Sequence, residues 1–108
     1  MSDPYVINFG TKLDRQQLIA EADAVCKMDR KREVVWDVSK WTSVPWGDLG
    51  FVADIMKKIK PFAKIKIIKN KIVLPSSTWK AALNCLFALA KPAAPTELFV
   101  GSLETQAS

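Results

Sequence analysis

Apolar and polar positions alternate along this chain in blocks of two different periods. Tyr5-Val6-Ile7-Asn8-Phe9 is β-branched and aromatic and stops at Gly10, which predicts a strand closed by a turn. A helix over 14–27 is expected next. Asp14 can cap it, Gln17 can reach back to complete a capping box, and Leu13 can staple onto Leu18. Leu18, Ile19, Ala22, Val25 and Cys26 then recur at helical spacing, with Arg15, Gln16, Glu21, Asp23 and Lys27 on the other face. After a charged connection from Met28 to Glu33, Val34-Val35-Trp36-Asp37-Val38 has the β-branched run of a central strand buried on both faces.

Pro45 and Gly47 punctuate the chain, and Asp48 is placed to cap a second helix over 49–60. Leu49, Val52, Met56 and Ile59 form its stripe, and Pro61 is expected to end it. A strand over 64–69 follows, alternating through its lysines and then running Ile67-Ile68; alternatively, Asn70-Lys71 turns a hairpin into Ile72-Val73-Leu74. The cluster Pro75-Ser76-Ser77-Thr78 predicts the cap of a third helix over 77–90, with Trp79, Leu83, Leu86, Phe87 and Ala90 on its buried side. A proline-marked crossover at 92–95 leads to a short strand at Leu98-Phe99-Val100, and 102–108 read as a frayed helical tail.

Strands alternating with helices of this length indicate βαβ units with right-handed crossovers. The expected fold is a single α/β domain over 1–108, with a mixed, mostly parallel sheet of about four or five strands covered by three main helices. At 49% hydrophobic and 25% charged the composition is that of a globular protein and not of a disordered chain. No apolar run approaches a membrane span, and the first residues lack the blocks of a signal peptide, so the expectation is a soluble, cytoplasmic protein.

Chemistry is narrowed by what the chain carries. It has no histidine and 2 cysteines, so histidine triads are excluded, and Cys26 and Cys85 stand too far apart in sequence for a zinc motif. Both cysteines lie in apolar helical stretches and read as buried small hydrophobes. The 4 glycines stand singly, which rules out a phosphate-cradling loop. Asp37 and Asp48 can converge near the carboxyl end of the central strand, but Asp48 is better explained as a helix cap and Asp37 as a tie for the loop. No catalytic residue, cofactor or metal is expected. The formal charge of +5 is carried by residues 51–71, which hold 7 lysines against 1 aspartate. Lys57, Lys58 and Lys60 suit a helix C-terminus, and Lys64, Lys66, Lys69 and Lys71 edge the next strand. With only Arg15, Arg30 and Arg32 and no nucleic-acid motif, a protein partner, acidic in character, is favoured over nucleic acid or anionic lipid.

From Gly10 onward the chain resembles the STAS domains, regulatory modules of anti-sigma-factor antagonists and of sulfate-transporter tails. Gly10-Thr11-Lys12-Leu13-Asp14 is similar to that family's approach to its first helix. Val34 to Ser39 is similar to its central strand, Gly47-Asp48-Leu49-Gly50 to the start of its second helix, and Leu98 to Glu104 to its closing strand and final helix. The resemblance implies a protein-binding module. Two departures accompany it: Pro45 and Trp46 occupy the places of an acidic residue and the phosphorylatable serine or threonine, and there is no room before Gly10 for the usual opening hairpin. The implied module therefore lacks the phosphorylation switch. Trp79 to Pro95 bears a looser likeness to the CRAL-TRIO fold, whose lipid pocket needs a longer chain.

Trp36, Trp41 and Trp46 recur every five residues, which matches neither a helix face nor a strand face. Trp36 is expected in the core. Trp41 and Trp46 either anchor a partner from the loop or cap the top of the core. Ser43 is read as turn chemistry in the same loop. The expected partner-binding surface is accordingly Trp41, Ser43, Pro45, Trp46, Gly47 and Asp48, assisted by Lys57 and Lys58.

Overall fold

A computed structural model describes residues 4–101. The elements are β1 (Tyr5–Asn8), α1 (Arg15–Cys26), β2 (Arg32–Asp37), α2 (Leu49–Lys66), β3 (Ile67–Leu74), α3 (Trp79–Leu89) and β4 (Thr96–Val100), with a single 3₁₀ turn at Trp46–Asp48 leading into α2. The four strands form one sheet in the order β1-β2-β3-β4, and every pairing is parallel. The fold is a single α/β domain. The expected tail at 102–108, with the residues following Gly101 in the family resemblance, lies outside the described residues.

Each βαβ step advances one place along the sheet in the same direction, so crossovers of the usual hand put all three helices on one face. Burial agrees. One apolar cluster joins Leu18 and Val25 of α1, Ala53 and Ala63 of α2, and Trp79, Leu83 and Leu86 of α3 to Ile7, Val34 and Leu74 of the strands. Those strand residues, with the half-buried Trp36, Ile72 and Leu98, share one parity in the register. The opposite face carries Val6, Val35, Val73 and Phe99, with Lys71 paired to Glu33 at 3.0 Å and Lys69 to Glu97 at 2.5 Å across neighbouring strands. Val34 and Val35 are 0% and 2% exposed, so the central strand is buried on both faces as its run predicts.

Several local expectations change. Asp14 caps α1 as predicted, its carboxylate accepting from the N–H groups of Gln16 and Gln17. Gln17 does not close a capping box; its Nε2 donates to the Asn8 carbonyl at 3.0 Å and ties the helix to β1. Pro61 does not end α2, which continues to Lys66. The proline costs the Lys57 carbonyl its helical donor, but stopping there would withdraw Ala63 from the core, where it is 4% exposed. Lys64 and Lys66 are consequently last-turn helix residues, and Lys66 Nζ donates to the Met28 carbonyl at 2.6 Å. β3 then runs unbroken through Asn70-Lys71, because these residues pair with Val34 and Val35 on one side and Thr96 and Glu97 on the other. Thr78 makes no side-chain cap to α3; its hydroxyl is bonded to Ser76 Oγ at 2.7 Å. Gly101 has φ 84°, a left-handed conformation suited to glycine, and its N–H donates to the Leu74 carbonyl as the chain turns off the sheet.

Neither cysteine is in the core. Cys26 is half-buried and Cys85 exposed, both as free thiols, since each falls beside and not on the buried stripe of its helix. Burial, with Asp23 nearby, pushes the Cys26 thiol above its ordinary range.

Candidate functional site

The loop from Val38 to Asp48 leaves the carboxyl end of β2, the end at which parallel sheets present ligand sites. Its backbone is held from several directions. Asp37 accepts from Ser39 N at 3.0 Å and Ser39 Oγ at 2.6 Å, the tie expected of it. Trp41 N donates to the Val38 carbonyl, and Thr42 N to the Thr11 carbonyl at 2.9 Å, which fastens the loop to the turn after β1. Trp46 N and Asp48 N close local turns on Val44 and Pro45. Asp48 does not cap α2. It accepts instead from the Arg15 guanidinium, whose carbon stands 4.7 Å from the Phe51 ring centroid. Arg15 thereby clamps the start of α1 to the start of α2.

The two loop tryptophans resolve into different roles. Trp41 wedges inward, with its ring 5.6 Å from Phe9 and 5.9 Å from Trp79 by centroids. Its Nε1 is buried without an acceptor, an omission that typically costs about 1–3 kcal/mol. Trp46 turns outward and is 58% exposed. Pro45 is half-buried, and Ser43 and Gly47 are exposed. Lys57 and Lys58 are exposed two turns or more along α2, roughly 12 Å from its first residue at 1.5 Å per residue. They are outside the loop itself. Among the described residues neither joins an ion pair, unlike Lys69 and Lys71.

Beneath the loop lies a feature that sequence pattern does not disclose. Between α2, α3 and the sheet lies a half-open apolar pocket of about 160 Å³. Leu49, Val52, Met56 and Ile59 line it from α2, Trp79, Ala82, Leu83 and Phe87 from α3, Trp36, Asn70 and Ile72 from the sheet, and Trp41 and Pro45 from the loop. The α2 stripe reads in the sequence as ordinary core. In the fold its Val52, Met56 and Ile59 are only half-buried. Trp36 is likewise half-buried, and its Nε1 donates to Asn70 Oδ1 at 2.9 Å. Asn70 was detectable only as a polar residue in an apolar strand.

The arrangement offers an exposed loop and a half-open apolar pocket beneath it. Among the described residues no three Cys, Asp or Glu side chains gather where a metal ion could sit, and no helix is long and apolar enough to cross a membrane. No family model matches the chain, and no curated protein or solved structure does.

Proposed function

We propose that this protein is a non-catalytic protein-interaction module of STAS-like shape, acting in the cytoplasm and without a phosphorylation switch, whose partner docks on the loop 41–49. The observation that carries the reading is Trp46, a large aromatic 58% exposed on a loop fixed by the Arg15–Asp48 clamp and the Thr42–Thr11 bonds. A braced, exposed tryptophan suits a hot spot, because its apolar area is presented with little left to order on binding. Lys57 and Lys58 supply unpaired positive charge along α2 and favour an acidic partner. The resemblance of the 34–50 region to STAS domains supports the same reading. A polyanion-binding reading is weaker, since Lys69 and Lys71 of the basic segment are ion-paired to Glu97 and Glu33.

The test is quantitative affinity capture from native extract with wild type, Trp46→Ala and Lys57→Glu side by side. A partner retained by wild type, lost with Trp46→Ala and weakened at low salt with Lys57→Glu fits the proposal. Identical capture by all three would sink it, and capture of nucleic acid that disappears at moderate salt would favour the rival class.

A further inference from the structure

The half-open pocket of about 160 Å³ leaves apolar space beside the core that close packing would ordinarily fill. Its size is comparable to an engineered apolar cavity of about 150 Å³ that takes benzene. Among the described residues that line it there is no lysine, arginine, aspartate or glutamate, and Asn70 and Thr96 alone carry a hydroxyl or amide side chain. Thr96 is already engaged, its Oγ1 donating to the Ala94 carbonyl at 3.1 Å.

Asn70 is different. It is 8% exposed, the one polar residue buried among the described residues, and it sits on the central part of β3 facing the helices. The indole of Trp36 can only donate, so the Asn70 oxygen must be the atom it meets, and the amide nitrogen points elsewhere. No acceptor among the described residues is bonded to that nitrogen. Trp41 Nε1, and not this nitrogen, is the fully buried side-chain donor without a partner among the described residues, so the Asn70 amide keeps accessible surface where it lines the pocket and its hydrogens are open to whatever occupies that space.

We propose that this cavity is a binding site for a small uncharged molecule, largely hydrocarbon, that places one oxygen acceptor on Asn70 Nδ2. The volume admits a single substituted ring or a short chain, well below a whole lipid. A charged ligand is disfavoured, because nothing in the wall would compensate its desolvation. The site lies behind Trp41 and does not use the exposed Trp46, so this proposal stands or falls separately from the protein-docking one.

The test is a set of NMR titrations of the isotopically labelled chain with acetophenone, isopropylbenzene and benzoate, three compounds of similar size. Acetophenone should shift the methyl signals of Val52, Met56 and Leu83 saturably and move the Asn70 side-chain amide protons downfield, as donation to its carbonyl requires. Isopropylbenzene should move the methyls and leave the Asn70 amide nearly in place, and benzoate should bind at least about a hundredfold more weakly. Ala82→Leu, which fills the same space, should weaken acetophenone about tenfold or more. The wild-type titration decides the matter even where that variant folds poorly. Absence of saturable methyl shifts, benzoate binding as tightly as acetophenone, or an Asn70 amide that responds alike to both neutral compounds would overturn the proposal.

Discussion

Replacing Ala82 by leucine adds three carbon atoms at a position that is 1% exposed and lines the cavity. In a filled core such a change overpacks and typically costs about 1–3 kcal/mol. Here the sign should reverse. The added carbons enter an apolar pocket and not a filled interior, so they gain burial without displacing close-packed neighbours. Three buried carbons recover about 0.8 kcal/mol each, less about 0.5–1 for the leucine rotamers that freeze, so the expected gain is about 1–2 kcal/mol. For a domain of this size that raises Tm by roughly 4–8 °C per kcal/mol, readable by thermal or urea melts followed by circular dichroism. Leu74→Ala serves as the contrast. Leu74 is fully buried and away from the cavity, and its truncation should cost about 2–5 kcal/mol. The reasoning is refuted if Ala82→Leu lowers Tm, since the space would then be closed in solution.

Three further outcomes follow from local geometry. Trp41→Phe keeps a ring between Phe9 and Trp79 while deleting the buried N–H, so it should hold or raise stability by up to about 1 kcal/mol, and a loss above that in urea melts would mean Nε1 has a partner. Cys85 should react with a maleimide well before Cys26, whose thiol is held up by burial and by Asp23; equal rates by mass spectrometry would contradict the placement. The Lys69–Glu97 pair lowers the Glu97 pKa and raises that of Lys69 through their hydrogen bond, so its support is present above the ordinary carboxylate range and below the ordinary lysine range. Glu97→Gln should therefore narrow its stability gap from wild type as pH falls through the lowered Glu97 value, and again as pH rises through the raised Lys69 value.

Much of the fold was legible because strand and helix periods alternate cleanly. The buried Val34-Val35 run, the Asp14 cap and Leu18, Ala22 and Val25 of the α1 stripe sit where local pattern places them, whereas Ile19 of that stripe is 44% exposed and Cys26 only half-buried. Errors cluster where tertiary contacts override a local signal. Pro61 reads as a stop, yet the helix continues through it to bury Ala63, and Lys64-Ile65-Lys66 imitates a strand while forming the last helical turn. Asp48 has the chemistry of a cap, but Arg15, distant in sequence, takes its carboxylate. The two loop tryptophans could not be separated by spacing, because their directions depend on Phe9 and Trp79, which only the fold brings near. The cavity left no signal at all: an apolar stripe on α2 looks the same whether it meets the sheet directly or stands off from it.

The central claim is that Trp46 is free for a partner while the fold does not depend on it. The direct measurement is a binding titration and a urea melt on the same Trp46→Ala sample, using the partner that wild type captures. Removing a half-exposed side chain that closes no cavity should change stability by less than about 0.5 kcal/mol. Binding should weaken about tenfold or more, which is about 1.4 kcal/mol. A melt that falls by several kcal/mol would instead make Trp46 part of the core, and unchanged affinity with an intact fold would remove loop 41–49 from the interface.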